Sequence, residues 1–261
     1  WQPTEGPYRR ITEEQADSWN ENGFLLFEDA FRPDELRRML EVIDPIEAAE
    51  EELLRTKLGG KAFIARADEI TFTLHLARKS EVMRSVVASD VLMDLTHDLV
   101  GPDAILYWDM SVYKKPGTAA PFPWHQDNGY TYVEPQQYVT FWIALTDATV
   151  DNGCPWVIPG WHRLGTLRHR LTDLGFVCFE EEPEPEHMTP VPVKAGSIAI
   201  FSSLTPHTTG PNLSDATRKS YIVEVAPTSA ESLRPEADGT ITRTVCRPLN
   251  LELLENGKRL I

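Results

Sequence analysis

PFPWHQDNGY, residues 121–130, sets His125 two positions ahead of Asp127 in a run crowded by Pro121, Pro123, Trp124 and Tyr130. On an extended segment, residues i and i+2 point to the same side. One imidazole and one carboxylate can therefore share a single metal ion here. A polar turn after a proline-rich approach gives the same letters, so the pair alone is a weak signal and a third ligand must come from elsewhere. His207 is the candidate, in FSSLTPHTTGP at 201–211, just past a β-forming run at 197–201. Two neutral imidazoles and one carboxylate on one face of a metal leave three coordination positions open, the facial arrangement of non-haem Fe(II) oxygenases. A structural zinc site closes its coordination instead.

Arg218 follows His207 by eleven residues, at the entrance to SYIVEV (220–225). A buried arginine there can grip a carboxylate through two parallel hydrogen bonds. Taken singly, Arg218 beside Lys219 reads as an ordinary surface arginine; its spacing from His207 gives it weight.

The rest of the chain bounds the answer. Its 261 residues suffice for one domain with a full core. A net charge of −15 argues against non-specific nucleic-acid binding, which needs a basic footprint. Cys154, Cys178 and Cys246 form no CxxC pair. So sparse and odd a set favours reduced thiols in an intracellular, cytoplasmic protein and excludes a thiolate zinc module. No apolar run reaches bilayer-spanning length, and WQPTEGPYRRIT lacks a signal-peptide pattern. The expected partner is a small-molecule substrate, with no nucleic acid and no membrane, for a monomer or homodimer.

Residues 1–102 read as mainly helical. Thr12 and Gln15 fit a capping box, Gly23 suits a helix end, and FLLF (24–27) suits a buried strand. Pro33 sits where a first helical turn tolerates it, and Leu36, Met39, Leu40 and Ile43 mark one helix face. Residues 47–58 read as a Glu-rich solvated helix and 81–99 as one further helix. After Pro102 the chain turns β-rich: 105–113, 139–145, 197–201 and 220–225 read as strands between Pro- and Gly-rich turns. In VTFWIAL (139–145), Thr140, Trp142 and Ala144 share one face. Short strands and such turns indicate a barrel or sandwich. The acidic, proline-rich 179–192 reads as a mobile insertion.

The chain resembles the phytanoyl-CoA dioxygenase-like (PhyH) Fe(II)/2-oxoglutarate oxygenases. The resemblance covers residues 11–226. It rests on ITEEQADSWNENGFLLFEDAFRPDELRRML (11–40), LTHDLVGPDA (95–104), WHQD (124–127), LTDATVDNGCPWVIPGWHR (145–163) and PHTTGPNLSDATRKSY (206–221). It implies a mainly β fold, a double-stranded β-helix (jelly-roll, cupin-like) with N-terminal helices packed on it. The implied single domain has a helical part at 1–102, a β core at 103–226 and a C-terminal extension at 227–261, which finds no counterpart. The implied iron ligands are His125, Asp127 and His207, and Arg218 holds the distal carboxylate of 2-oxoglutarate. Thr209, Trp142 and Ser111 are implied co-substrate neighbours, Ser111 from its distance to His125 alone.

The implied cofactors are Fe(II), 2-oxoglutarate and dioxygen. The implied reaction oxidises a small metabolite or natural product, hydroxylation being the default, with release of succinate and CO2. Desaturation, ring closure and epoxidation use the same centre. Related halogenases replace the carboxylate ligand by a small residue, so Asp127 argues against halogenation. Two rival classes are a non-catalytic metal-binding barrel and a cupin-like lyase or isomerase using zinc or manganese; succinate formation separates both from the oxygenase. Among the other histidines, His162 reads as a loop brace, His97 as structural, and His75, His169 and His187 as solvated.

Overall fold

The computed structural model describes residues 1–136, 138–246 and 251–261. Its first layer is α1 (Glu13–Asn22), β1 (Phe24–Phe27), α2 (Pro33–Lys57), the hairpin β2 (Lys61–Ala62) and β3 (Ala65–Arg66), β4 (Ile70–Leu74), α3 (Leu76–Lys79), α4 (Glu81–Val87) and α5 (Asp90–Leu99). The Thr12 hydroxyl accepts from Gln15 N–H at 3.2 Å while the Gln15 side chain accepts from Thr12 N–H at 2.9 Å, closing the expected capping box. Gly23 ends α1 at φ 76°, and a Cβ there would run into the His162 ring and the Thr205 hydroxyl. Glycine is thus required both by conformation and by space.

Three expectations for this layer change. Residues 60–74 are not helical: β4 pairs antiparallel with the first core strand, Phe72 opposite Val112, because Ile70, Thr71 and Thr73 are β-branched and a sheet edge is available. The helix expected at 81–99 breaks at Ala88–Ser89 into α4 and α5. Glu47 is buried rather than solvated, accepting from Thr71 at 2.5 Å and pairing with Lys115 at 2.7 Å.

The core follows as β5 (Ala104–Lys114), β6 (Phe122–His125), β7 (Tyr132–Glu134), β8 (Val139–Ala144), β9 (Pro155–Val157), β10 (Arg170–Thr172), β11 (Gly175–Val177), β12 (Thr189–Pro190), β13 (Ile198–Ser202), β14 (His207–Thr209) and β15 (Arg218–Pro227). The chain ends in β16 (Glu231–Pro235), β17 (Ile241–Val245), β18 (Glu252–Glu255) and β19 (Lys258–Arg259). A long antiparallel sheet runs β1-β13-β8-β15-β5-β4-β3-β2, and a short one runs β12-β9-β14-β6. This is the expected double-stranded β-helix. The C-terminal stretch is woven into it: β18 pairs with β5, and β16 pairs with both β17 and β7. No helix among the described residues is long and apolar enough to cross a membrane.

Strand alternation gives the long sheet two different faces. Phe141, Ile143, Ile200, Tyr221 and Val223 pack outward with Trp19, Met39 and Leu92 of the helices. Trp142, Ala144, Ala199 and Phe201 pack inward with Cys154 and Val157 beside the short sheet. Both faces of β8 are covered, which explains why VTFWIA is nearly all apolar. One register shift matters for the site. Glu224 pairs with Trp108 and Val225 with Leu106, so Tyr107 is the extra residue of a bulge.

Candidate active site

The metal ligands come from the facing short strands. His207 opens β14 directly opposite His125, the last residue of β6, and their ring centroids lie 4.2 Å apart. Asp127 opens the turn Asp127–Gly129 just after β6. Its Oδ1 lies 3.6 Å from Nε2 of both histidines, and the three donor atoms fall within 4.8 Å of one another. No other such group of His, Cys, Asp or Glu occurs among the described residues.

Each ligand is held from behind. His125 Nδ1 donates to the Pro123 carbonyl at 2.8 Å and His207 Nδ1 to the Thr205 carbonyl at 3.0 Å, leaving both Nε2 lone pairs free for a metal. Burial, then the neighbouring His207, pushes the His125 pKa well down, so the ring is neutral as a ligand must be. Thr140 on the inner face of β8 donates to Asp127 Oδ2 at 2.5 Å, which turns Oδ1 toward the histidines. Thr140→Val keeps the shape and removes this bond. Metal affinity is expected to fall about 10–100-fold with the melting temperature little changed, read by metal titration beside a thermal melt.

Gln126 locks the turn. Its side chain donates to the Leu204 carbonyl at 2.6 Å and the Gly165 carbonyl at 2.9 Å, and accepts from Leu167 N–H at 2.6 Å. Gln126 N–H donates to His169 Nε2 at 2.9 Å, while His169 Nδ1 donates to the Leu167 carbonyl at 2.9 Å. His169 lies so close over Gly129 that a Cβ would stand 2.1 Å from its ring. The expectation of a solvated His169 is therefore overturned. The 160s loop folds back on the metal turn, a long-range contact with no local signature. His75 is likewise not free in solvent: it lies 4.3 Å from the Trp108 ring, at φ 57°. His162 is buried under Trp1 at 4.3 Å, and burial lowers its pKa to about 4. His97 lies on α5, its Nδ1 3.3 Å from Asp98, and His187 is exposed on the acidic insertion.

A second constellation lies on the same inner face. Arg218, 1% exposed, opens β15; its Nη1 donates to Ser220 Oγ at 2.8 Å, while its Nε and Nη2 have no partner. Its guanidinium sits 5.2 Å over the Trp142 ring, and burial lowers its pKa to about 10. Two unmatched donors on a buried cation are costly unless an anion completes them. Lys114 pairs with Arg218 across the sheet and is equally buried. Its Nζ donates to the Gly210 carbonyl at 2.5 Å and lies 3.5 Å from the Thr209 hydroxyl. Burial, then Arg218, lowers its pKa to about 7. Lys114 escaped the sequence reading; the doublet Lys114-Lys115 was its only signal, and Lys115 pairs with Glu47 and Glu51 outside the barrel.

Thr140 and Trp142 alternate on β8, so the metal turn and the arginine fork stand about 7 Å apart along that strand. Thr209 and Trp142 are brought to the fork. Ser111 is not. It shares the outer face of β5 with Asp109, which accepts from Ala77 N–H at 2.9 Å, and with Tyr113, which donates to Asp44 at 2.5 Å. Counting back from His125 located the strand but not its parity, and a one-residue slip reverses the face. Met110 and Val112 are the inward neighbours.

The inner face is also the open one. Phe72, Trp108, Met110 and Ile222 are half-buried and Leu74 is 37% exposed, whereas the outward Thr73, Ser111, Tyr113 and Tyr221 are fully covered. A separate cavity of about 700 Å³ lies on the outer face of the short sheet, lined by Trp124, Trp156, Thr208, Phe179 and Glu182. It contains none of the three ligands, because Trp124 and Thr208 point out where His125 and His207 point in. Trp124 Nε1 donates to Glu182 at 2.9 Å, tying the acidic insertion to this face.

Residues 19–220 match the family described as phytanoyl-CoA dioxygenase (PhyH). A phytanoyl-CoA dioxygenase of Arabidopsis thaliana is 27% identical over 252 residues, covering 82% of this chain and 88% of its own. A methylphosphonate hydroxylase of Gimesia maris is 28% identical over 235 residues, covering 87% and 85%. Among solved structures, a non-heme α-ketoglutarate-dependent carbocyclase from nogalamycin biosynthesis superposes with a TM-score of 0.67 at 22% identity, covering 89% of this chain and 91% of its own. At that identity the likeness bears on the fold.

Proposed function

Since the chain belongs to the phytanoyl-CoA dioxygenase family, we propose that it is an Fe(II)/2-oxoglutarate-dependent oxygenase that hydroxylates a small metabolite or natural product. The observation that carries the reading is the pair of unpartnered Arg218 donors on the sheet face whose Thr140 holds the metal ligand Asp127. A five-carbon dicarboxylate can engage the metal at one end and the guanidinium at the other. The donor set fits the metal as well: two neutral imidazoles and one carboxylate suit iron(II) and leave half its coordination sphere to ligands.

His125, His207 and Asp127 would hold the iron, which supplies oxidative decarboxylation of 2-oxoglutarate to succinate and CO2 coupled to substrate oxidation. Thr140 fixes the Asp127 carboxylate. Arg218 anchors the co-substrate by a two-pronged bond, with Lys114 adding positive charge and Trp142 flanking the guanidinium. Phe72, Trp108, Met110 and Ile222 line the approach and keep water from the reacting C–H bond.

The test is aerobic incubation with Fe(II) and 2-oxoglutarate, measuring succinate. Succinate above a metal-free control supports the oxygenase; its absence from metal-loaded protein moves weight to a non-catalytic or non-iron barrel. With a substrate in hand, product mass decides the outcome. A gain of one oxygen means hydroxylation or epoxidation, and a loss of two hydrogens means ring closure or desaturation.

A further inference from the structure

Neither the metal nor the co-substrate accounts for Glu224. It is 8% exposed, lies on the inner face of β15, and pairs with Trp108 on β5 and Thr140 on β8. Thr140 in turn holds Asp127, so Glu224 is one strand away from a metal-ligand contact. Beyond these backbone pairings, its carboxyl makes no hydrogen bond to any described residue. Burial, then the Asp127 and Asp109 carboxylates, pushes its pKa well up.

Two phenols stand beside it. Tyr107, turned by the bulge, and Tyr138 have ring centroids 5.2 Å apart, and burial, then Glu224, raises the pKa of each. Past this polar end the inner face of the long sheet is apolar: Phe72, Leu74, Trp108, Met110 and Ile222. The inward cations, Arg218 and Lys114, belong to the other end. Arg218 is six residues back along β15, and its guanidinium reaches over Trp142, whose register partner Ile222 is two residues from Glu224. A buried carboxyl without a partner has hydrogen-bonding capacity that a native site rarely leaves unused.

We propose that Glu224 is a specificity-determining residue that receives a hydrogen-bond donor, an amine or a hydroxyl, on a substrate with an apolar body, in preference to anionic groups that bring no donor. The proposal rests on the oxygenase reading and narrows its substrate class. Carboxylates and phosphonates bring no donor when ionised, so the Glu224 carboxyl has nothing to accept from them.

The test uses protein loaded with Zn(II) and 2-oxoglutarate, which is redox-inert and diamagnetic. Saturation-transfer NMR measures affinity for four probes of one shape: 2-phenylethylamine, 2-phenylethanol, phenylacetate and benzylphosphonate. The amine or the alcohol should bind at least about tenfold more tightly than both anions. Preference for the amine identifies an ammonium group, and parity identifies a hydroxyl. Glu224→Leu should bring the probes within about twofold of each other. Glu224→Gln, closer in shape, should keep the alcohol and lose any preference for the amine, and serves if the leucine variant does not fold. Tighter binding of an anion, a preference that survives both variants, or no probe binding to loaded protein would overturn the proposal. Failure to retain zinc and 2-oxoglutarate would instead overturn the oxygenase reading beneath it.

Discussion

His207→Ala is expected to abolish turnover while leaving the fold intact. The imidazole is one of three donors meeting within 4.8 Å, and nothing nearby among the described residues replaces it. Loss of a second-sphere partner weakens metal binding about 10–100-fold, so loss of a ligand should exceed about 100-fold. The effect can be read without any substrate. Metal at about 100 times its dissociation constant stabilises the wild type by about 2.7 kcal/mol. That gain in melting temperature should vanish in the variant, whose metal-free melt should match that of the metal-free wild type. Retained metal stabilisation would place the ligand elsewhere.

Arg218→Met should spare metal binding and cripple 2-oxoglutarate binding. The guanidinium offers two unmatched donors in a site sealed from water, where truncating a charged partner costs about 2–5 kcal/mol. An affinity loss of about 30-fold or more follows, measured by anaerobic calorimetry on the metal-loaded protein. Lys114 adds a pH signature. Its pKa of about 7 in the empty protein reflects burial and the Arg218 charge, both of which disfavour the ammonium. A bound dicarboxylate favours the ammonium and raises that pKa, so binding takes up a proton. Affinity should be flat below pH 7 and fall as pH rises above it, by up to about tenfold per unit. Lys114→Met should flatten the profile at a lower affinity. An unchanged slope in that variant would assign the proton to another group.

The two variants test parts of the molecule that were unequally legible. His125, Asp127 and His207 were readable because metal chemistry admits few donor types, and Arg218 stood out only through its spacing from His207. Thr140 and Trp142 were readable as one face of β8, since a strand alternates. Ser111 was misplaced by counting, which fixes distance along the chain and not the side of the sheet. His169 and Lys114 carry residue types that the surface uses freely. Only the loop that presses His169 onto Gly129, and the pairing that buries Lys114 against Arg218, give them meaning.

By itself the sequence determined the local and chemical features: the capping box at Thr12, the glycine stop at Gly23, the core strands and the metal turn. Each depends on residues a few positions apart, whose backbone preferences and donor atoms act before any long-range contact forms. The tertiary structure alone decided that residues 60–74 extend the sheet, that the C-terminal stretch returns to pair with β5, and that Glu47 is buried. It alone decided that Glu224 is buried on the inner face of β15. These outcomes rest on pairings between residues tens to hundreds of positions apart, where the free energy of burial and of sheet hydrogen bonds outweighs local propensity.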